Sequence, residues 1–532
     1  MKLNYSELIK SEKWENAGIE LPIYDIEKIK SETEKNPGWI HFGAGNIFRG
    51  YIARLQDTLL NNKNADRGII AVESFDFEVI EKIYNKTDNL ALNVLMGSDG
   101  KFNLRVVASI IKGMTTRREN GDFDQLVTYS CNPGLQMISF TITEKGYALK
   151  SHDDNFFPAV KSDLEKGPEN PSHIMSVITS LVFSRYKKGA FPVALVSMDN
   201  CSNNGDRLKE AVLSIAGEWN KRKFVDDGFL EYLKNETAVS FPLSMIDKIT
   251  PRPADSVKNY LAEKGLEDMD TVITSCNTYM APFVNAEITE YLVIEDKFPN
   301  GRPLLEEAGV LFTDRNKVKD IETMKVTTCL NPLHTALAVT GCLLGYTSIS
   351  EEMKDSDLKR LVHKIGYDEG LPVVVDPGII NPKKFIDEVV NERFPNPFIP
   401  DTPQRIASDT SQKVKIRFGE TIKSYVENEN LNPETLTGIQ FAIAAWCRYL
   451  MGVDDEGNLF QISPDPMAEY LTSIMSSVSL GDKSADISVI LSNSEIFGMD
   501  LYAAGIGKKI ESIFTEMIQS KGAVRAALKK YV

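Results

Sequence analysis

The chain has no Cys-x-x-Cys pair, no apolar run near the roughly 20 residues needed to span a bilayer, and no excess of positive charge. Its six cysteines, Cys131, Cys201, Cys276, Cys329, Cys342 and Cys447, stand singly, which argues against a disulfide framework, a zinc ribbon or a redox dithiol. His41, His152, His173 and His363 show no metal-ligand spacing and read as structural, and Asp454-Asp-Glu-Gly457 has too few carboxylates for a calcium loop and reads as a turn. No metal is expected. A formal charge of −15 and a pI near 5.1 exclude general nucleic-acid binding, so an anionic substrate must be met by a local basic cluster. The first ten residues lack an apolar core followed by a small-residue cleavage site, and a cytoplasmic, membrane-free protein is the expectation. No internal repeat is present, and nothing in the sequence decides between a monomer and a homo-oligomer.

With 532 residues and 59.4 kDa, 42% of them hydrophobic and 25% charged, the chain is long enough for at least two globular domains. Strand-like runs recur in the first half: Trp39 to Phe42, Gly68 to Glu73, Leu90 to Leu95, Leu104 to Ile111, Met137 to Thr143 and Val193 to Ser197. Several are continuously apolar, as strands buried on both faces are, and helical stretches such as Ile47 to Leu60 and Ser176 to Lys187 lie between them. This pattern predicts an α/β fold whose N-terminal part is a Rossmann-like doubly wound domain. After the turn-rich stretch Glu295 to Pro303 the periodicity becomes helical, with Pro332 to Tyr346, Asp355 to Gly366, Lys413 to Asn428, Gly438 to Met451, Asp465 to Ser477 and Leu501 to Lys521 as the main segments. The boundary is therefore placed at 300, with residues 1–300 binding a nucleotide and residues 301–532 forming a mainly α-helical substrate and catalytic domain. Trp446 to Tyr449, on one of these helices, is assigned to packing.

The first strand ends in Gly43-Ala44-Gly45-Asn46-Ile47-Phe48-Arg49-Gly50, directly before an amphipathic helix. Glycines at a sharp strand-to-helix turn let backbone approach a pyrophosphate, whose charge then rests on helix N-terminal amides. Phe48 stands where the usual third glycine would be, so the fingerprint is imperfect, and a glycine turn without a ligand is the competing interpretation. The second strand ends with Glu73 and Asp76, either of which could meet the adenosine ribose hydroxyls; a carboxylate there disfavours the extra phosphate of NADP, so NAD is the expected cofactor.

A second constellation lies in Glu322-Thr-Met-Lys325-Val-Thr-Thr-Cys-Leu-Asn331-Pro-Leu-His334. Lys325, Asn331 and His334 combine a possible base, a neutral amide donor and an imidazole, a set suited to taking a proton from a hydroxyl. Asn331 before Pro332 marks a helix start, with His334 in its first turn; Glu322 and Lys325, three apart, share a face if their segment is helical. The plainer alternative is a helix cap, a satisfied histidine and a surface ion pair.

Together with Thr143-Glu-Lys-Gly-Tyr147, Ser197-Met-Asp-Asn200, Ser244-Met-Ile-Asp247 and the stretch Asn396 to Lys413, these segments occur in an order that resembles the polyol-specific long-chain dehydrogenases, the mannitol dehydrogenase group that includes hexuronate reductases. The resemblance runs from about Trp39 to about Leu450. It implies Lys325 as general acid/base, Asn200 and Asn331 as donors to the reacting oxygen, His334 as an orienting group, and Glu322 as a proton relay or a plain partner of Lys325. Arg405, Lys413 and, less directly, Asp247 would contact substrate. It further implies NAD-dependent hydride transfer on a sugar acid or polyol, with D-mannonate and D-fructuronate as the expected pair and tagaturonate or mannitol as alternatives; a nucleotide-binding protein without turnover is the alternative of another class. An ordinary lysine amine titrates near pH 10.4, so a lysine base needs burial or nearby positive charge. Five residues separate Lys325 from Asn331, where the mannitol enzymes have four.

Overall fold

A computed structural model describes every residue except Lys483. It divides into two compact units, residues 1–97 with 101–318, and residues 98–100 with 319–532.

At the centre of the first unit is a sheet of six strands: β1 (Trp39–Phe42), β2 (Ile69–Glu73), β3 (Ile110–Thr115), β4 (Met137–Phe140), β5 (Val193–Ser197) and β6 (Val239–Ser240). All neighbours run parallel and the spatial order is β3-β2-β1-β4-β5-β6, that of dinucleotide-binding folds. The continuous apolar runs have a simple cause, since both faces are covered. Ile40, Phe42, Ile138 and Phe140 pack into one core, while Trp39, Ile69, Ala71 and Met137 pack into the other. The connection order reverses between β1 and β4, so the loops after these two strands flank the crevice where such sheets take their ligand.

Two expectations need correction. Leu104 to Ile111 is two strands, Phe102–Val107 and β3, separated at Ala108 and Ser109. The Ala108 N–H donates to Asp57 Oδ1 at 3.0 Å and the Ser109 hydroxyl to the Ala53 carbonyl at 2.6 Å, so side chains and backbone of the preceding helix take over the ladder's role there. The segment Leu90 to Leu95 also forms a strand, Ala91–Met96, outside the doubly wound sheet. It pairs antiparallel with Phe102–Val107 and parallel with Phe283–Glu287 in a second, four-stranded sheet.

The second unit is helical. Its core holds helices Asn331–Leu343 and Thr437–Tyr449, both almost wholly buried, and Trp446 packs edge-on against Phe497 with ring centroids 5.9 Å apart. Glu369 caps the second of these, accepting from the N–H groups of Gly438 at 2.6 Å and Ile439 at 2.9 Å. The acidic turn near Asp454 serves similarly: Asp455 accepts from the N–H groups of Val524 and Arg525 at the start of the last helix.

Candidate active site

After β1 the chain turns at Gly43 with φ +103°, and a Cβ added there would lie 2.1 Å from the Thr141 carbonyl oxygen that follows β4. Only glycine fits this approach. Gly45 differs: a Cβ there would meet nothing within 4 Å, so the backbone borders open space. The Arg49 N–H donates to the Gly45 carbonyl at 3.1 Å, which makes Gly45 the entry to the helix and leaves the amides of Asn46, Ile47 and Phe48 without intrahelical acceptors. Phe48 is fully buried and stacks on His41 at 4.1 Å, so the bulky residue at the third fingerprint position packs inward, away from the turn. His41 itself bridges Ser139 at 2.6 Å and Thr141 at 2.8 Å, and burial holds its imidazole down to about 3, hence neutral.

Glu73, at the end of β2, is spent on bracing. Its Oε2 accepts from the Ala44 N–H at 3.1 Å, and its Oε1 from the N–H groups of Ser74 and Phe75 at 2.9 and 3.0 Å. Burial raises its carboxyl above the ordinary range, with these backbone donors opposing the rise. Asp76 accepts through Oδ2 from the Thr274 hydroxyl at 2.5 Å, while its Oδ1 is buried without a hydrogen-bond partner among the described residues, as is Oδ1 of Asn46. Both side chains are tied to the short hairpin Val272–Ile273/Tyr279–Met280 and its turn, because the Asn46 amide donates to the Tyr279 carbonyl at 3.4 Å. The exposed edge of Gly45, three unspent amides and two orphaned oxygens fit a bound dinucleotide's phosphates and ribose.

The segments Thr143 to Tyr147 and Ser197 to Asn200 meet through Asp199. Asp199 accepts from the N–H groups of Ile142 and Thr143, both at 2.9 Å, and from the Tyr147 phenol at 2.6 Å, while Tyr147 also contacts the Ser197 hydroxyl at 2.7 Å. This clamp holds Thr143 at φ +65°, a conformation non-glycine residues rarely adopt, and fixes the backbone that carries exposed Asn200. Asn200 and Asp247 belong to the first unit, the latter at the buried end of strand Ser244–Asp247.

Glu322, Lys325, Asn331, His334, Arg405 and Lys413 all belong to the second unit. Glu322 lies in helix Arg315–Met324, and Lys325, 4% exposed, opens a π-helical turn, Lys325–Cys329, closed by the Leu330 N–H donating to the Lys325 carbonyl at 3.1 Å. A π turn holds one residue more than an α turn, and the path from Lys325 to Asn331 runs through that turn and then through Leu330, whose φ −131° and ψ −61° lie outside helical geometry. Asn331 is the first helical residue of the next helix, not its cap; the cap position is Leu330. Its half-buried amide makes no hydrogen bond among the described residues and is left available. One turn on, His334 Nε2 lies 3.4 Å from Asp401 Oδ2, close enough for electrostatic attraction but not aligned as a hydrogen bond. Burial lowers the His334 pKa against the opposing pull of Asp401.

Asp401 also pairs with Arg405 four residues later; burial opposes its ionisation, but His334 and Arg405 outweigh that and hold its carboxyl below the usual range. Arg405 is 63% exposed in its side chain. Lys413 donates to the Ser408 carbonyl at 2.5 Å, and burial, reinforced by Arg417, lowers its pKa. Arg417, not anticipated from the sequence, donates through Nη1 to the Thr335 hydroxyl at 2.5 Å, next to His334.

Residues 37–307 match the mannitol dehydrogenase Rossmann domain and residues 317–518 the mannitol dehydrogenase C-terminal domain. The chain belongs to the mannitol dehydrogenase family. A D-mannonate oxidoreductase of Thermotoga maritima is 48% identical over 100% of this chain and 99% of its own length. Among solved structures, a substrate-free D-sorbitol dehydrogenase superposes with a TM-score of 0.79 at 26% identity, covering 96% of this chain and 98% of its own. The Pseudomonas fluorescens mannitol 2-dehydrogenase, solved with NAD and D-mannitol, gives 0.69 at 27% identity over 100% of this chain and 99% of its own. The two-part architecture, a Rossmann domain followed by a helical domain, is thus the mannitol dehydrogenase arrangement expected from the resemblance.

As a member of the mannitol dehydrogenase family this chain is an oxidoreductase, and its second unit supplies a buried amine, a free amide and a neutral imidazole within ten residues of sequence. Asp199, Asp401 and Arg417 were the residues missed. Asp401 and Arg417 stand four before Arg405 and four after Lys413, a one-turn spacing that could have flagged both. Among the described residues no group of three His, Cys, Asp or Glu side chains could hold a metal, and no helix is long and apolar enough to cross a membrane.

Proposed function

We propose that this chain is a cytoplasmic, NAD-dependent oxidoreductase that interconverts D-mannonate and D-fructuronate. The observation that carries the substrate choice is the end-to-end identity with the Thermotoga D-mannonate oxidoreductase, well above that to the sorbitol and mannitol enzymes. The stretch Gly43 to Phe48 would hold the dinucleotide's pyrophosphate on the first helical amides, with Glu73 bracing the loop and Asp76 near the ribose. A dinucleotide held there would supply hydride transfer to and from the sugar carbon.

Lys325 takes the hydroxyl proton when mannonate is oxidised and returns it when fructuronate is reduced. Asn200 and Asn331 donate to the oxygen as it gains charge, a role suited to neutral amides because they need no reorganisation and carry no proton to lose. His334, held neutral and facing Asp401, orients the sugar through Nε2. Glu322 lies one turn before Lys325 and passes protons to solvent. Arg405, Lys413 and Asp247 contact the remaining sugar groups.

The test is NADH oxidation with fructuronate, tagaturonate and fructose side by side. The highest kcat/KM is expected for fructuronate. A preference for fructose or tagaturonate would replace the substrate, and no turnover with any of the three would favour the binding protein without activity.

A further inference from the structure

We propose that Arg417 receives the carboxylate of the sugar acid and so decides between sugar acids and neutral polyols. This rests on the reading of the site given above and adds the residue that recognises the substrate's charged end.

Of the cations Arg405, Lys413 and Arg417, only Arg417 has neither a carboxylate partner nor an attracting carboxylate to offset its burial among the described residues. Arg405 is paired with Asp401 and largely exposed, and Lys413 feels Asp409 and Asp465 besides donating to the Ser408 carbonyl. Arg417 makes one hydrogen bond among the described residues, through Nη1 to the Thr335 hydroxyl, so most of its five N–H donors are unspent. Burial alone acts on its guanidinium, lowering it to about 10; it remains charged at neutral pH. A half-buried guanidinium with no carboxylate partner among the described residues is costly to desolvate, and a ligand carboxylate is the group that would offset that cost.

Its placement suits the role. Arg417 sits in the π-helical turn Lys415–Gly419, where Gly419 passes so close to the Phe497 carbonyl that a Cβ would lie 2.2 Å from that oxygen. This turn packs against the π turn that begins at Lys325, and the Thr421 hydroxyl donates to the Thr327 carbonyl at 3.4 Å across the contact. Thr335, which anchors Nη1, is the residue after His334. The guanidinium is therefore anchored on the helix that carries His334, close enough to lower that imidazole's pKa, and its turn contacts the lysine turn within the same unit. In fructuronate the carboxylate is at the far end of the carbon chain from the ketone, so a fork near His334 can hold it while Lys325 addresses the ketone oxygen. A planar guanidinium matches a carboxylate with two parallel N–H donors; a polyol's terminal hydroxyl offers no such match.

The test compares Arg417→Gln and Arg417→Lys with the unaltered protein in two measurements. One is kcat/KM for fructuronate and for fructose with NADH. The other is calorimetric binding of D-mannonate and of D-mannitol to the NADH-loaded protein, where no hydride can transfer to the alcohol. Arg417→Gln should weaken mannonate binding and fructuronate kcat/KM about 10- to 100-fold while changing mannitol and fructose less than about 3-fold. Arg417→Lys should recover part of the loss, since it keeps the charge without the fork. Equal losses for acid and polyol, or none, overturn the assignment. If Arg417→Gln does not fold, Arg417→Lys decides: a loss confined to the acids supports the role, and unchanged selectivity refutes it. Failure of the unaltered protein to bind mannonate or reduce fructuronate would sink the functional reading and this assignment together, whereas an active protein with unaltered selectivity in the variants sinks this assignment alone.

Discussion

Asp401 faces His334 with one carboxylate oxygen, Oδ2 to Nε2 at 3.4 Å, and gives the other to Arg405. One acidic group thus sets the position of an imidazole on one helix and a guanidinium on another. Asp401→Asn keeps the shape and removes the charge, so Arg405 loses its tether. Expected is a rise of about 10-fold in KM for fructuronate with a smaller fall in kcat, because positioning is lost and proton transfer is not. Steady-state kinetics with NADH at saturation would show it; a fall in kcat at constant KM would instead put Asp401 in the chemical step.

Lys325→Ala should lower kcat by about 10²- to 10⁴-fold, the usual worth of a positioned acid/base group. NADH affinity, followed by its fluorescence, should stay within about 2-fold. Loss of NADH binding at unaltered turnover of the bound fraction would remove Lys325 from the proton transfer.

Gly43→Ala places a methyl 2.1 Å from a backbone oxygen at φ +103°, and backbone on both sides must shift. A destabilisation of about 3 kcal/mol or more is expected, with loss of NADH binding, because the turn and the Thr141 loop cannot both keep their places. Gly45→Ala is the informative partner. Nothing stands within 4 Å of its added methyl, so the fold should survive while the cofactor, which needs that space, binds more weakly. Calorimetric NADH titration and thermal melts of both variants separate the two effects.

His41 offers a pH signature. Its pKa is about 3 in the fold and near 6.5 when unfolded, so between those values the unfolded chain binds the extra proton and acid favours unfolding. Stability is unaffected above pH 6.5 and falls as pH drops below it, by about 1.4 kcal/mol per pH unit until the folded pKa is reached. From pH 6.5 to 5 the loss should be about 2 kcal/mol, read from denaturant midpoints, and His41→Asn should flatten that slope. An unchanged slope in the variant would assign the acid sensitivity to other groups.

Much of the first unit was legible because parallel strands buried on both faces leave continuous apolar runs, as in Trp39 to Phe42 and Val193 to Ser197. The division of Leu104 to Ile111 was not, since it depends on the Asp57 carboxylate about fifty residues earlier, and no local pattern announces such a partner. In the second unit the helices were visible by periodicity, but the π turns at Lys325 and Lys415 were not. One of them accompanies a glycine pressed against the Phe497 carbonyl, a contact some eighty residues distant in sequence. Arg417 is marked in the sequence only by its one-turn spacing from Lys413; that its turn is half-buried depends on the same distant packing. Asp199 is hidden differently: its partners, the amides of Ile142 and Thr143 and the Tyr147 phenol, lie more than fifty residues earlier in sequence.

The five residues between Lys325 and Asn331 are not carried on continuous α-helix. Inserted into regular α-helix, one residue would rotate everything downstream by about 100° and carry Asn331 and His334 away from the lysine's side. Here the π turn Lys325–Cys329 is followed by Leu330 at φ −131° and ψ −61°, outside helical geometry, so the next helix starts afresh at Asn331. The aim of Asn331 and His334 is thereby set by the helix that they open, not by the one that ends at the lysine.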